Sequence, residues 1–133
     1  GDVLKRARPD VKVIASEPEN AALLTGKEWS PHKIQGWTPD FVPAVLDRTH
    51  IDEVRLVSDD DAIAAAKRLA SEEGIFCGIS SGATVATALA VAAGAPEGSN
   101  IVAMLPDTGE RYLSTPLFEG ISEDSDEPWL ETL

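Results

Sequence analysis

Cysteine is nearly absent, with Cys77 the single one in 133 residues. An internal disulfide and a Cys-rich zinc site are thereby excluded, and a reducing cytoplasm is the expected setting. Basic residues are scarce too. Lys and Arg total 11 against 23 Asp and Glu, a formal net charge of −12. Such a chain repels a phosphate backbone, so nucleic acid is not an expected partner. An anionic membrane surface is disfavoured for the same reason. No apolar run approaches the roughly 20 residues of a membrane span. No signal peptide is visible, and no internal repeat. The chain begins with Gly1 rather than Met, which fits a processed product or a fragment.

What is present suffices for one domain with a core, since 43% of the residues are hydrophobic. That domain is expected over residues 1–121, followed by an acidic tail, 122–133, expected to be mobile. Residues 3–7 read as the end of a helix and 11–15 as a β-branched strand stopped by Glu17-Pro18. Residues 20–24 suit one helical turn. The stretch 25–43 holds Gly26, Pro31, Gly36, Pro39 and Pro43 and reads as a long loop. A second strand is expected at 53–57. Ser58 then opens a helix, with Asp61 standing where a capping box has Glu, and Gly74 closes it. A nearly uncharged helix, 83–93, is expected to be buried on most sides. Residues 100–105 read as a third strand, stopped by Pro106. Strands that are continuous apolar runs, alternating with helices, predict an α/β domain with a parallel sheet in three αβα layers.

Two places suit chemistry. Gly78-Ile79-Ser80-Ser81-Gly82 opens the apolar helix, where free N–H groups and the helix dipole suit a polar ligand group. The same serines would equally serve as plain helix caps. Asp107, Thr108, Glu110, Arg111 and Tyr112 follow the third strand, at the end of a sheet that usually faces a ligand crevice. Ion pairing of Glu110 and Arg111 and packing of Tyr112 would explain them as well. His32 and His50 have no metal-ligand spacing and read as structural or solvated. Cys77 reads as a small buried hydrophobe. Trp29 and Trp37 pack the loop or line a pocket, and Trp129 sits in the tail. Asp59, Asp60 and Asp61 are better explained by the helix dipole than by a metal.

Several runs together resemble O-acetylserine sulfhydrylase (cysteine synthase). They are His32-Lys33-Ile34-Gln35-Gly36, Glu73-Gly74-Ile75, Gly78-Ile79-Ser80-Ser81-Gly82-Ala83, Leu105-Pro106-Asp107 and Gly109-Glu110-Arg111-Tyr112-Leu113-Ser114-Thr115. Ala15-Ser16-Glu17-Pro18 fits as well, and the resemblance covers about residues 1–120. It implies the C-terminal half of a fold-type II, tryptophan-synthase-β-like enzyme that uses pyridoxal 5'-phosphate. It also implies β-replacement, in which sulfide displaces acetate from O-acetylserine to give L-cysteine. By resemblance Ser80 is the hydroxyl facing the pyridine nitrogen, with Asp107 and Tyr112 ranked behind it as cofactor-side residues. A serine there carries no charge to hold that nitrogen protonated, which tunes the ring toward prompt β-elimination. Gln35 and Gly36 begin the loop that borders the substrate.

The family's Schiff-base lysine, its Thr-Ser-Gly-Asn-Thr loop and its Gly-Thr-Gly-Gly-Thr phosphate cradle have no counterpart here. Lys5, Lys12, Lys27, Lys33 and Lys67 all lie in other contexts. The chain alone is therefore expected to be inactive, and to self-associate or pair with a missing N-terminal half. After Gly36 the family pattern Ile-Gly-Ala-Gly-Phe is replaced by Trp37-Thr38-Pro39-Asp40-Phe41. Two other readings stand beside this one: a related enzyme such as cystathionine β-synthase or a threonine-dehydratase-like protein, and a non-enzymatic module that binds the C-terminal peptide of serine acetyltransferase.

Overall fold

A computed structural model describes residues 1–119, so the acidic tail and Trp129 lie outside the described residues. The elements are α1 (Asp2–Ala7), β1 (Ile14–Pro18), β2 (Glu53–Val57), α2 (Asp59–Glu73) and α3 (Ile79–Ala92), joined by loops and short 3-10 turns. β1 and β2 are parallel, with Ile14 opposite Glu53 and Pro18 opposite Val57. α3 packs on both strands and α2 packs on α3. The α/β class read from the sequence stands.

The second strand falls where the sequence puts it, but the first lies three residues further along. Residues 11–13 are held otherwise: Val11 donates to the Arg8 carbonyl at 3.0 Å, and Val13, across 39 positions, donates to the Asp52 carboxylate at 2.7 Å and accepts the Asp52 N–H at 2.9 Å. Glu17 does not stop the strand. It is buried, and its carboxylate accepts N–H bonds from Leu24 at 2.9 Å and Thr25 at 3.2 Å. A buried charge is tolerable when backbone donors replace its water. Pro18 occupies the last position, where a missing donor costs the ladder least.

α2 forms as its ends dictate. The Ser58 hydroxyl accepts the Asp61 N–H at 3.0 Å, the first half of a capping box, but the Asp61 carboxylate accepts the Ser58 hydroxyl at 2.7 Å instead of reaching the Ser58 N–H. Gly74, at φ +69°, takes the left-handed turn that closes the helix. α2 and α3 meet at Gly82, where a Cβ would stand 2.1 Å from the Ala62 carbonyl oxygen. The core gathers Ile34, Val57, Ala62, Ala66, Ile79 and Leu117. Each fully buried Ile or Leu there contributes at most about 3 kcal/mol.

Two expectations are corrected. The third strand, 100–105, is not in the sheet; strand character is only a tendency, and the described residues give this run no neighbour. The apolar helix is not buried on most sides. Its first residues and Thr87 are buried, but Leu89 is 53% exposed, because the sheet beneath it has only two strands.

Candidate functional site

α3 opens on Gly78, which has no side chain with which to cap it. The two serines that follow do not act as caps. Both are buried, and both turn their hydroxyls to one carboxylate: Ser81 donates to Asp107 Oδ1 at 3.1 Å and Ser80 to the same oxygen at 3.3 Å. Tyr112 donates its hydroxyl to Asp107 Oδ2. Asp107 thus gathers three hydroxyls from two separate stretches of chain.

The backbone permits this closeness. A Cβ on Gly78 would lie 2.3 Å from the Tyr112 ring and 2.6 Å from Asp107 Oδ2, so only glycine fits. An antiparallel bridge, Cys77 to Thr108, ties the residue before α3 to the loop carrying Asp107. Gly109 donates to the Phe76 carbonyl at 3.2 Å, and Phe76 stacks at an angle on Phe118, with centroids 5.3 Å apart.

The carboxylate marks the groups around it. Its hydrogen bond with Tyr112 pushes that phenol up to about 12, with burial second. Burial pushes the Cys77 thiol up, and the Asp107 charge adds to it. Cys77 is buried, as its setting in sequence implies. Glu110 is held below the usual carboxylate range, first by a hydrogen bond from Thr108. Among the described residues neither Glu110 nor Arg111 takes part in an ion pair.

Gln35 and Gly36 are exposed and not bonded to the cluster, but Ile34 before them is buried in the same core as Ile79 and Tyr112. That anchors the loop near the start of α3. Asp59 accepts the Lys33 N–H at 3.0 Å, a task beyond the helix dipole. Thr38 sits at φ +36°, rare for a β-branched residue, and its carbonyl accepts the Trp29 indole N–H at 3.0 Å. His32 Nε2 lies 3.4 Å from the same carbonyl, while its Nδ1 is buried without a partner. His50 lies 3.3 Å from Asp47. A cleft of about 320 Å³ runs from Ser16 and Glu17 past Gly36 and Trp37 to Phe41. Trp37 therefore lines a pocket as well as packing on the core.

The family model described as pyridoxal-phosphate dependent enzyme matches residues 1–107. The chain belongs to that family. Within it, the chain is 59% identical over all 133 residues to O-ureido-L-serine synthase of Streptomyces lavendulae, covering 41% of that protein. It is 43% identical over 118 residues, 89% of this chain, to cysteine synthase of Staphylococcus aureus, covering 38% of it. A crystal structure of O-ureido-L-serine synthase superposes with TM-score 0.92 at 59% identity, over 98% of this chain and 41% of that one. The chain thus spans about two fifths of the length of these relatives.

The family's cofactor fits the cluster in one respect. With its proton turned to Asp107 the Ser80 hydroxyl offers a ring N–H a lone pair, and to donate to a bare ring nitrogen it has to turn away from that carboxylate. Among the described residues the cluster's hydrogen-bond partners include no lysine. Lys5 is engaged by Asp52 and the Val11 carbonyl. The sequence reading includes Ser81 in the Gly78–Gly82 run but gives a role to Ser80 alone. The signal for Ser81 was the paired serines, of which both, not one, reach Asp107. No helix among the described residues is long and apolar enough to cross a membrane, and none of their acidic, His or Cys side chains form a metal-binding group.

Proposed function

We propose that this chain is one part of an enzyme that replaces the β-substituent of an activated L-serine such as O-acetylserine, with pyridoxal phosphate as cofactor. The single observation that carries the reading is the Ser80–Asp107–Tyr112 cluster at the start of α3, with Ser80 and Tyr112 buried and Asp107 half-buried, in a chain of this family. When bound, the cofactor supplies an electron sink that lets the substrate lose its α-proton and its β-leaving group. Ser80 is the hydroxyl offered to the ring nitrogen. Asp107 takes the Ser80 hydroxyl proton, which leaves the Ser80 oxygen a lone pair for the ring nitrogen, and Tyr112 holds Asp107. Gln35 and Gly36 border the substrate, and the loop after them excludes water. The lysine that bonds the cofactor belongs to the remainder of the protein, so the chain alone has little activity.

The entering group is proposed to be a hydroxyurea, giving O-ureido-L-serine. The higher identity to O-ureido-L-serine synthase, 59% against 43%, supports it. So does the departure of Trp37-Thr38-Pro39, beside the cleft, from the cysteine synthase pattern. Sulfide, giving L-cysteine, is the second reading, favoured by the Gly109-Glu110-Arg111-Tyr112 run.

The test uses the full-length protein with O-acetylserine and either nucleophile. A higher kcat/KM with hydroxyurea supports the first reading and a higher value with sulfide the second. Product with neither sinks the proposal. Ser80→Ala should shift the absorption band of the bound cofactor as well as lower the rate.

A further inference from the structure

The loop that follows Gly36 turns on one carbonyl group. Thr38 stands at φ +36°. Its β-branching opposes that conformation, and so does Pro39, which pushes the residue before it toward extended backbone. The Thr38 carbonyl shows what holds it. That oxygen accepts the Trp29 indole N–H at 3.0 Å, and His32 Nε2 lies 3.4 Å from it. Two neutral hydrogen bonds together are of the size needed to offset such a backbone, whereas one alone barely meets it.

His32 supplies more than bulk. Its Nδ1 is buried without a hydrogen-bond partner. An unpaired buried nitrogen is a cost that an apolar ring of the same shape avoids. The imidazole offsets that cost only through its other nitrogen, which faces Thr38. The base of the loop is fixed separately. Ile34 is buried in the core, and the Lys33 N–H is bonded to Asp59 at 3.0 Å. With the base fixed, the two donors govern the far end.

That end is a wall of the cleft, formed by Trp37, Thr38 and Pro39 beside Gly36 and Phe41. Neither Trp29 nor His32 lines the cleft. Gln35 and Gly36 keep the cysteine synthase pattern, and the departure begins at Trp37. The activated serine, common to both readings of the function, falls to the retained residues. The entering group, in which the two readings differ, falls to the altered wall.

We infer that Trp29 and His32 are positioning residues for the choice of entering group. By holding the Thr38 carbonyl they set the Trp37–Thr38 wall before the nucleophile arrives, so little of its binding is consumed in ordering the loop. The inference rests on the β-replacement proposed above.

The test uses the full-length protein with its cofactor and O-acetylserine, and hydroxyurea and sulfide in turn. Trp29→Phe keeps an aromatic ring and removes the N–H. It should raise the KM for the nucleophile about fivefold, with kcat and the KM for O-acetylserine within about twofold of wild type. His32→Gln puts an amide nitrogen where Nε2 stands and should leave all three constants near wild type. His32→Asn reaches only as far as Nδ1 and should raise the nucleophile KM as Trp29→Phe does. A second measurement needs no turnover. The Trp29 indole proton, assigned by its loss in Trp29→Phe, should exchange slowly with solvent, and about tenfold faster in His32→Asn. Exchange at the free rate in the wild type overturns the inference whatever reaction the enzyme performs. Slow exchange in an enzyme that makes neither product sinks the reaction and leaves the hold on Thr38 standing. An unchanged nucleophile KM in Trp29→Phe, equal KM rises for both substrates, or equal effects of His32→Gln and His32→Asn also overturn the inference.

Discussion

Asp107 accepts a hydrogen bond from Ser81 at 3.1 Å across 26 positions of sequence. That bond joins the start of α3 to the loop beyond 100–105. With Ser80 and Tyr112 on the same carboxylate, the loop has one fixed orientation on the helix.

The phenol of Tyr112 reports on this junction, because it is the single tyrosine in the chain. Its folded pKa is raised from 10.0 to about 12. Above pH 10 the unfolded chain therefore loses a proton that the folded chain keeps. The stability this group contributes is fully present below pH 10 and is lost as pH rises toward 12. Ultraviolet titration of the phenolate should give a midpoint near 12 in the folded protein, and Asp107→Asn should bring it down toward 10.

Gly82→Ala tests the α2–α3 contact. The added Cβ would meet the Ala62 carbonyl at 2.1 Å and the Ala66 nitrogen at 2.7 Å, both backbone atoms that cannot swing aside. A loss of about 1–3 kcal/mol is expected in denaturant unfolding, the usual cost of overpacking. Gly74→Ala probes a different cost, since nothing crowds that site and only its φ of +69° resists a side chain.

Ser58→Ala removes both bonds that the Ser58 hydroxyl makes at the start of α2. A loss of about 1 kcal/mol is expected, again from denaturant unfolding. Asp61→Asn should cost less than Ser58→Ala, because the amide can still accept from the Ser58 hydroxyl.

Thr38 holds a left-handed conformation that β-branching opposes, at a cost of about 1–3 kcal/mol. Thr38→Gly relieves it, and the larger entropy of an unfolded glycine offsets about 1 kcal/mol of that gain. The melting temperature should rise or hold. If the strain shapes the cleft, the KM of the full-length protein for its nucleophile should rise in the same variant.

Cys77 is buried with its thiol pushed up, so little thiolate is present at mildly alkaline pH. Alkylation by iodoacetamide should be far slower than for an unfolded control and should follow unfolding. Rapid modification of the folded chain would contradict its placement.

How much of this was legible in the sequence depends on where each cause resides. α2 was, because Ser58, Asp61 and Gly74 carry the helix ends within their own residues. The place of Ser80 at the start of the apolar helix was too, through the glycines and serines around it. The register of β1 was not, because Glu17 looks like a strand breaker until Leu24 and Thr25 are seen to satisfy it. Residues 100–105 misled for the opposite reason: composition proposes a strand, but only a neighbour makes one. The resemblance put Ser80, Asp107 and Tyr112 on one side of the cofactor, but their direct bonds and the share of Ser81 appear only after folding.

Glu17 also settles the mechanics of the long loop that follows. With both carboxylate oxygens gripping amides just downstream, the chain is clamped where it leaves β1. Leu23 and Leu24, which line the cleft, are thereby tied to the end of the sheet, and that wall keeps its place relative to β1. Glu17→Gln would loosen one jaw of the clamp and free the wall from the strand.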